Sequence, residues 1–335
     1  MIRAGIIGLG KMGISHCSIL GAHANVELVA VCDASALVIE GFKKYSKFKC
    51  FSDYKKMIDT MNLDCIIIAS PTKFHAEMVA YSLNSGLHVF CEKPFALHAD
   101  EGLALAKKAK SLNLVNQVGY HNRFIGTFKE VKELLESQVL GDLYHFVAES
   151  YGPVVLKEKG GTWRSEKGQG GGCLYDYASH TIDLINYLLA TPVSVSGTKL
   201  KHIFSKDVED AVYSMLTLQN GLTGQLSVNW SDDTYRKMST QITIIGKKGK
   251  MIADATELKI YLKEENKGLD LCKGWTTKYI TDLTEDVGFY LRGEEYSAQI
   301  DHFIECVLNK NINSRSTFES ACYTDDVIGL LLKDG

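Results

Sequence analysis

The sequence predicts an α/β plus α+β chain. A doubly wound parallel sheet is expected over residues 1–121 and a mainly antiparallel sheet with helices over 122–335. Three observations lead there. The chain has 335 residues, more than one core usually serves. Its first third alternates short apolar runs with helix-length patterns. Beyond about residue 120, longer strand-like segments follow one another through turn signals.

In the first part the strand-like runs are 2–7, 27–32, 64–69, 87–91 and 114–118, separated by helical patterns at 12–21, 35–46, 73–85 and 98–112. Runs such as "CIIIA" are nearly unbroken in apolar residues, as strands buried on both faces require. In the second part a helix near 125–137 leads to a strand at 143–151, a glycine-rich loop and a helix near 173–189. Strand patterns follow at 193–203, 210–219, 222–230, 240–245, 249–254 and 257–262. Asn220-Gly221 is a strong hairpin signal, and "IIGKKGKMIAD" reads as another hairpin. Helical segments near 293–309 and 317–333 close this part.

Composition narrows the function classes. The formal charge is −3, with no dense Lys/Arg run, so a nucleic-acid partner is not expected. No apolar run approaches the roughly 20 residues of a membrane helix, so no membrane partner is expected either. The apolar N-terminal stretch is short, glycine-broken and without a cleavage-type ending, unlike a signal peptide. Nine scattered cysteines form no C-x-x-C pair, which fits reduced thiols and a cytoplasmic location rather than a disulfide framework or a zinc site.

The first chemical signal is Gly8-Leu9-Gly10-Lys11-Met12-Gly13, which ends one strand and opens a helix. In this G-x-G-x-x-G pattern the first glycine makes the turn and the second admits a pyrophosphate to the backbone. The third packs helix on strand. Asp33 stands 20 residues after Gly13, at the end of the second strand, placed to accept hydrogen bonds from ribose hydroxyls. A carboxylate there repels a 2′-phosphate and no arginine follows, so NAD is favoured over NADP. Ser70, Pro71, Thr72 and His75 follow another strand and are expected to border the same crevice. A capped helix start with a solvated histidine fits them equally.

Glu92-Lys93-Pro94 follows the fifth strand, on the nicotinamide side of that crevice. Lys93 can donate a hydrogen bond to a substrate oxygen or relay a proton, with Glu92 tuning it or touching the cofactor. Pro94 restricts Lys93 to extended geometry and is compatible with a cis bond. A solvated Lys–Glu pair ahead of a proline stop is the competing reading.

These segments resemble the Gfo/Idh/MocA oxidoreductases. "GLHVFCEKPFA" is similar to that family's Glu-Lys-Pro signature, "ASPTKFHAEMVAYSLNSG" to the segment before it and "VGYHNRF" to a later strand end carrying Arg123. "TWR", "GGGCLYDYASHTIDLINYLL" and "GKKGKM" have counterparts in the family's second domain. The resemblance implies a Rossmann domain and a domain with an open, mainly antiparallel sheet that often mediates dimers or tetramers. It also implies an NAD(P) cofactor and a sugar, cyclitol or nucleotide-sugar substrate. It matches Lys93 to the lysine assigned to catalysis, Asp176 and His180 to the paired Asp and His of the second domain, expected to be catalytic with it, and Trp163 and Arg164 to positions that touch nicotinamide or substrate in some members; Arg123 is expected at the cofactor.

Asp176 and His180 are four apart on a predicted helix and share a face, which Asp183 continues. A histidine is a natural base for an alcohol proton, and a carboxylate one turn away can orient it. Gly170-Gly171-Gly172 is expected to let backbone pass close to a ligand. A core histidine beside a helix-capping aspartate is the structural alternative. No third ligand for a metal is evident. Three other functions fit the pattern: glycoside cleavage through transient oxidation by a bound NAD, a non-catalytic ligand sensor, and an oligomer with a vestigial site. The loop 152–170 and the segment 231–238 are expected to line the pocket.

Overall fold

Six parallel strands form the first sheet, in the order β3-β2-β1-β4-β5-β6. They are β1 (Ile2–Ile7), β2 (Val26–Cys32), β3 (Lys49–Phe51), β4 (Cys65–Ile68), β5 (His88–Cys91) and β6 (Asn116–Val118). The connecting helices are α1 (Lys11–Ala22), α2 (Ala36–Tyr45), α3 (Tyr54–Thr60), α4 (His75–Asn84) and α5 (Ala99–Ser111). The structure is a computed structural model that describes residues 1–158 and 161–335. Lys159 and Gly160, in the loop expected to line a pocket, lie outside the described residues.

The sheet matches the doubly wound expectation because its strands are buried on both faces; all four residues of β4 are fully buried. The sequence reading lacked β3 and α3. The first is three residues long, and the second buries only Met57 and Ile58. Neither is long enough to show a period.

The chain divides into two units, Met1–His121 with Asp286–Cys322, and Asn122–Glu285 with Tyr323–Gly335. The sequence assigns the segment 286–322 to the second part. Its helix α9 (Glu294–Leu308) instead packs Ile300, Phe303 and Ile304 among Ala4, Ile6, Leu20, Ile67 and Phe90 of the first unit. The edge strand β6 explains part of this. Val118 N–H donates to Ser316 O at 2.8 Å, and Asn116 Oδ1 accepts from Phe318 N–H at 2.8 Å. Polar groups that a bare edge would leave to water are thereby satisfied.

The second unit holds α6 (Gly126–Glu136), β7 (Leu143–Tyr151), α7 (Ser179–Leu188), β8 (Pro192–Lys201), β9 (Ala211–Leu218) and β10 (Thr223–Asn229). It continues with β11 (Ser239–Gly246), β12 (Gly249–Ala253), β13 (Glu257–Leu262), β14 (Gly274–Tyr279) and α8 (Ile280–Leu283). Its eight strands run β14-β13-β12-β11-β7-β10-β9-β8, all antiparallel except the β7–β10 pair. Alternation through β7 and β11, and through β9 from Val212 on, turns one face of the sheet to the core. That face packs on Phe128 and Val131 of α6, on Ile182 and Ile185 of α7, and on Val327, Ile328 and Leu331 of α10 (Phe318–Asp334). The opposite face exposes Tyr213, Met215, Tyr261, Trp275 and Tyr279.

Candidate active site

The glycine motif of the first unit is fixed by close backbone contacts. Gly8 has φ +91°, and a side chain there would put a Cβ 2.6 Å from the Ala69 carbonyl oxygen. A Cβ on Gly13 would lie 1.8 Å from the Gly8 carbonyl oxygen. Gly10 differs: a Cβ there would meet nothing within 4 Å, so its backbone faces open space. Gly10 is also the N-cap of α1 and offers no side-chain cap. The first N–H groups of α1 are therefore available to an anion.

Asp33 is held in place by two N–H groups. Leu9 N–H donates to its Oδ2 at 2.7 Å and Ser35 N–H to its Oδ1 at 2.8 Å. The Leu9 side chain lies in the core, so only its backbone serves the motif. Lys11 is exposed and Met12 half-buried. An ungated helix N-terminus beside a fixed carboxylate suits the pyrophosphate and ribose of a dinucleotide.

After β4, Thr72 is buried and Ser70 and Pro71 are more open. His75 is not a solvated helix residue, as one reading allowed. Its ring is buried, with Nδ1 2.9 Å from the Pro94 carbonyl oxygen and Nε2 2.8 Å from that of Ser70. Burial holds its pKa below the ordinary histidine value, against the opposing pull of those carbonyls. His75 thus ties the loop after β4 to the loop after β5.

That second loop carries Lys93, half-buried, with a cis Lys93-Pro94 peptide bond. Glu92 is buried. Its Oε1 lies 2.7 Å from Nε2 of His16, and its Oε2 accepts from Lys93 N–H at 3.2 Å. Burial pushes the Glu92 carboxyl up, but the His16 contact and the charges of His16 and Lys93 hold it below the usual range. Beyond β6, the His121 ring stacks on Tyr296 at 4.8 Å. Burial pushes the His121 pKa down to about 4 and raises that of Tyr296 to about 12.

In the second unit, Asp176 lies in a π-wound turn, Leu174–Ala178, that leads directly into α7. Such an extra residue per turn is common where a helix must re-aim a side chain. Asp176 is buried and accepts from Arg164 Nε at 2.9 Å; the guanidinium also lies 4.5 Å over the Trp163 ring. His180 is buried one turn on. The turn is capped by Glu209, whose Oε1 accepts from Leu174 N–H at 2.8 Å.

Two expectations need correction. The glycine run 170–172 packs on the chain's own loop. A Cβ on Gly171 would lie 2.5 Å from the Arg164 carbonyl oxygen, and Gly172 N–H donates to that oxygen at 3.1 Å. Asp183 does not extend the Asp176–His180 face to a ligand. Fully buried, it accepts from Nε and Nη2 of Arg123 at 2.9 and 2.6 Å. His16 and Glu209 were not singled out from the sequence. The one available signal was a histidine three residues after Gly13 on the apolar side of α1.

Residues 2–120 match the model of the oxidoreductase family with an NAD-binding Rossmann fold, and residues 128–252 match the GFO/IDH/MocA C-terminal domain. The chain belongs to the Gfo/Idh/MocA oxidoreductases. It is an NAD-binding dehydrogenase-type enzyme, and the Gly8–Gly13 motif and Asp33 lie in the matched region. It is 26% identical over 289 residues to D-glucoside 3-dehydrogenase of Escherichia coli (strain K12), covering 80% of each chain. It is 24% identical over 321 residues to scyllo-inositol 2-dehydrogenase (NAD(+)) of Bacillus subtilis (strain 168), covering 92% of this chain and 86% of that one. Its fold is shared with levoglucosan dehydrogenase solved with NADH and L-sorbose, with a TM-score of 0.88 at 21% identity over 99% of this chain and 96% of that one. Among the described residues no helix is long and apolar enough to cross a membrane, and no cluster of metal-ligand residues is found.

Proposed function

We propose that the protein oxidises a secondary alcohol of a sugar or cyclitol with NAD, using Lys93, Asp176 and His180 at the reacting hydroxyl. The observation that carries this reading is the setting of Lys93. It follows β5 at the carboxyl end of the sheet that carries the glycine motif, and both its neighbours are held by buried histidines. Ligands of such sheets bind beyond the carboxyl ends of the strands. The relatives named for D-glucoside and scyllo-inositol support the substrate class.

When bound, NAD supplies the hydride acceptor. The chain supplies the rest. His180 takes the hydroxyl proton and Lys93 hydrogen-bonds the same oxygen, stabilising charge as the proton leaves. Asp176 orients the His180 ring, and Arg164 holds Asp176. In the reverse direction the same groups return the proton. Ser70, Pro71 and Thr72 line the cofactor in this reading, Trp163 and Arg164 serve nicotinamide or substrate, and Arg123 positions α7 through Asp183. The exposed face with Tyr213, Met215 and Trp275 joins copies into a dimer or tetramer.

The test is NADH formation with scyllo-inositol, myo-inositol, methyl β-D-glucoside and glucose 6-phosphate. Lys93→Ala is expected to lower turnover on the best of these by orders of magnitude while NAD binding is kept. Near-normal turnover in that variant overturns the assignment.

A further inference from the structure

His16 is a buried side chain that the mechanism leaves unexplained. It lies in α1, three residues after the last motif glycine, and is fully buried. A buried imidazole needs a polar partner. Nδ1 has none among the described residues, so the ring is anchored through Nε2, 2.7 Å from Glu92 Oε1. The ring meets Phe90 of β5 edge-on, with centroids 5.3 Å apart, which limits its rotation.

Glu92 is confined from other sides as well. Its Oε2 accepts from Lys93 N–H. Gly119 lies against the carboxylate: a Cβ there would be 2.9 Å from Oε2 and 3.1 Å from Cδ. A carboxylate enclosed in this way has one orientation, and the backbone N–H it accepts from belongs to Lys93.

We propose that His16 is a positioning residue for the reaction at Lys93: from the cofactor-facing helix it fixes the Glu92 carboxylate, and through that carboxylate the backbone at Lys93. The inference rests on Lys93 acting at the substrate, as argued above. It adds that the dinucleotide-binding helix and the lysine loop are joined by one buried side-chain bond. A contact that orders α1 therefore also orders Lys93.

The test compares His16→Leu, His16→Gln and Lys93→Ala, with the double variant His16→Leu/Lys93→Ala, on the best substrate of the panel above. The glutamine amide nitrogen reaches about where Nε2 lies, so His16→Gln keeps a donor for Glu92. Expected for His16→Leu is a fall in kcat of about tenfold or more, with KM for the alcohol changed less. His16→Gln should recover much of that loss, and the double variant should be no slower than Lys93→Ala alone. Additive losses in the double variant overturn the proposal while leaving Lys93 catalytic. Retained turnover in Lys93→Ala overturns the reading beneath it instead. A readout independent of substrate is the rate at which acetic anhydride modifies Lys93 at one fixed pH, followed by peptide mass spectrometry. It should change in His16→Leu and return towards the wild-type rate in His16→Gln. Equal rates in all three proteins overturn the proposal even if His16→Leu is poorly stable.

Discussion

Arg123 and Asp183 meet in a bidentate pair, with bonds of 2.9 and 2.6 Å, both side chains buried within the second unit. Burial raises the Asp183 carboxyl and the arginine opposes that rise. Removing one partner strands a charge in the interior, whereas replacing both with apolar groups does not. Arg123→Met is expected to destabilise the protein by about 3–5 kcal/mol in urea unfolding. The pair Arg123→Met/Asp183→Leu should recover much of that. A stable single variant that has lost NAD binding would place Arg123 at the cofactor instead.

Asp33 is the proposed determinant of cofactor choice, its two oxygens being oriented by Leu9 and Ser35 N–H groups. Asp33→Ala removes a charged acceptor, worth about 1.5–3 kcal/mol for such bonds. NAD affinity is expected to fall about tenfold or more in a fluorescence titration. NADP affinity should hold or rise, since the repulsion of a 2′-phosphate goes with the carboxylate. An unchanged NAD:NADP ratio would remove Asp33 from the ribose.

Gly13→Ala tests the close approach of α1 to the first turn. The added methyl would sit 1.8 Å from the Gly8 carbonyl oxygen, so backbone must move. Overpacking of this kind costs about 1–3 kcal/mol. A lower Tm with weakened NAD binding is expected, whereas Gly10→Ala, with open space around it, should impair binding with little change in Tm.

Acid should weaken the fold in a defined window. Burial lowers His121 and His302 from 6.5 to about 4. As pH falls below 6.5 the unfolded chain takes up protons that the native chain refuses, so stability drops with each decrement until about pH 4. The urea midpoint is expected to decline across that interval. His121→Phe, which keeps a ring against Tyr296, should flatten the decline; an unchanged slope would mean that His121 is already charged when folded.

Much of the first sheet was legible because β1, β2, β4 and β5 are nearly continuous apolar runs between helical periods. The segments that escaped, β3, α3 and β14, are short or lie at edges and bury few residues. The nucleotide motif was also legible, since its information is backbone geometry written as glycines at fixed spacing. The pairings beside Lys93, and the Arg123–Asp183 pair of the second unit, were not. His16 and Glu92 lie 76 residues apart, and His75 and Pro94 lie 19 apart. Arg123 and Asp183 are separated by 60. A pairing at such distances leaves no periodic trace; His16 and Asp183 each read alone as a polar residue on an apolar face. The glycine run 170–172 misled for the same reason, because what it approaches is its own preceding loop.

The return of residues 286–322 to the first unit bears on how the chain comes into being. During synthesis the sheet of residues 1–121 emerges long before Phe303, Ile304 and Phe318, which complete its two cores. Until then, apolar surface on both sides of that sheet stays uncovered, and the edge of β6 lacks its Ser316 bond. The nascent protein must carry this unfinished half through the making of the whole antiparallel unit, an interval in which a chaperone has a defined surface to shield.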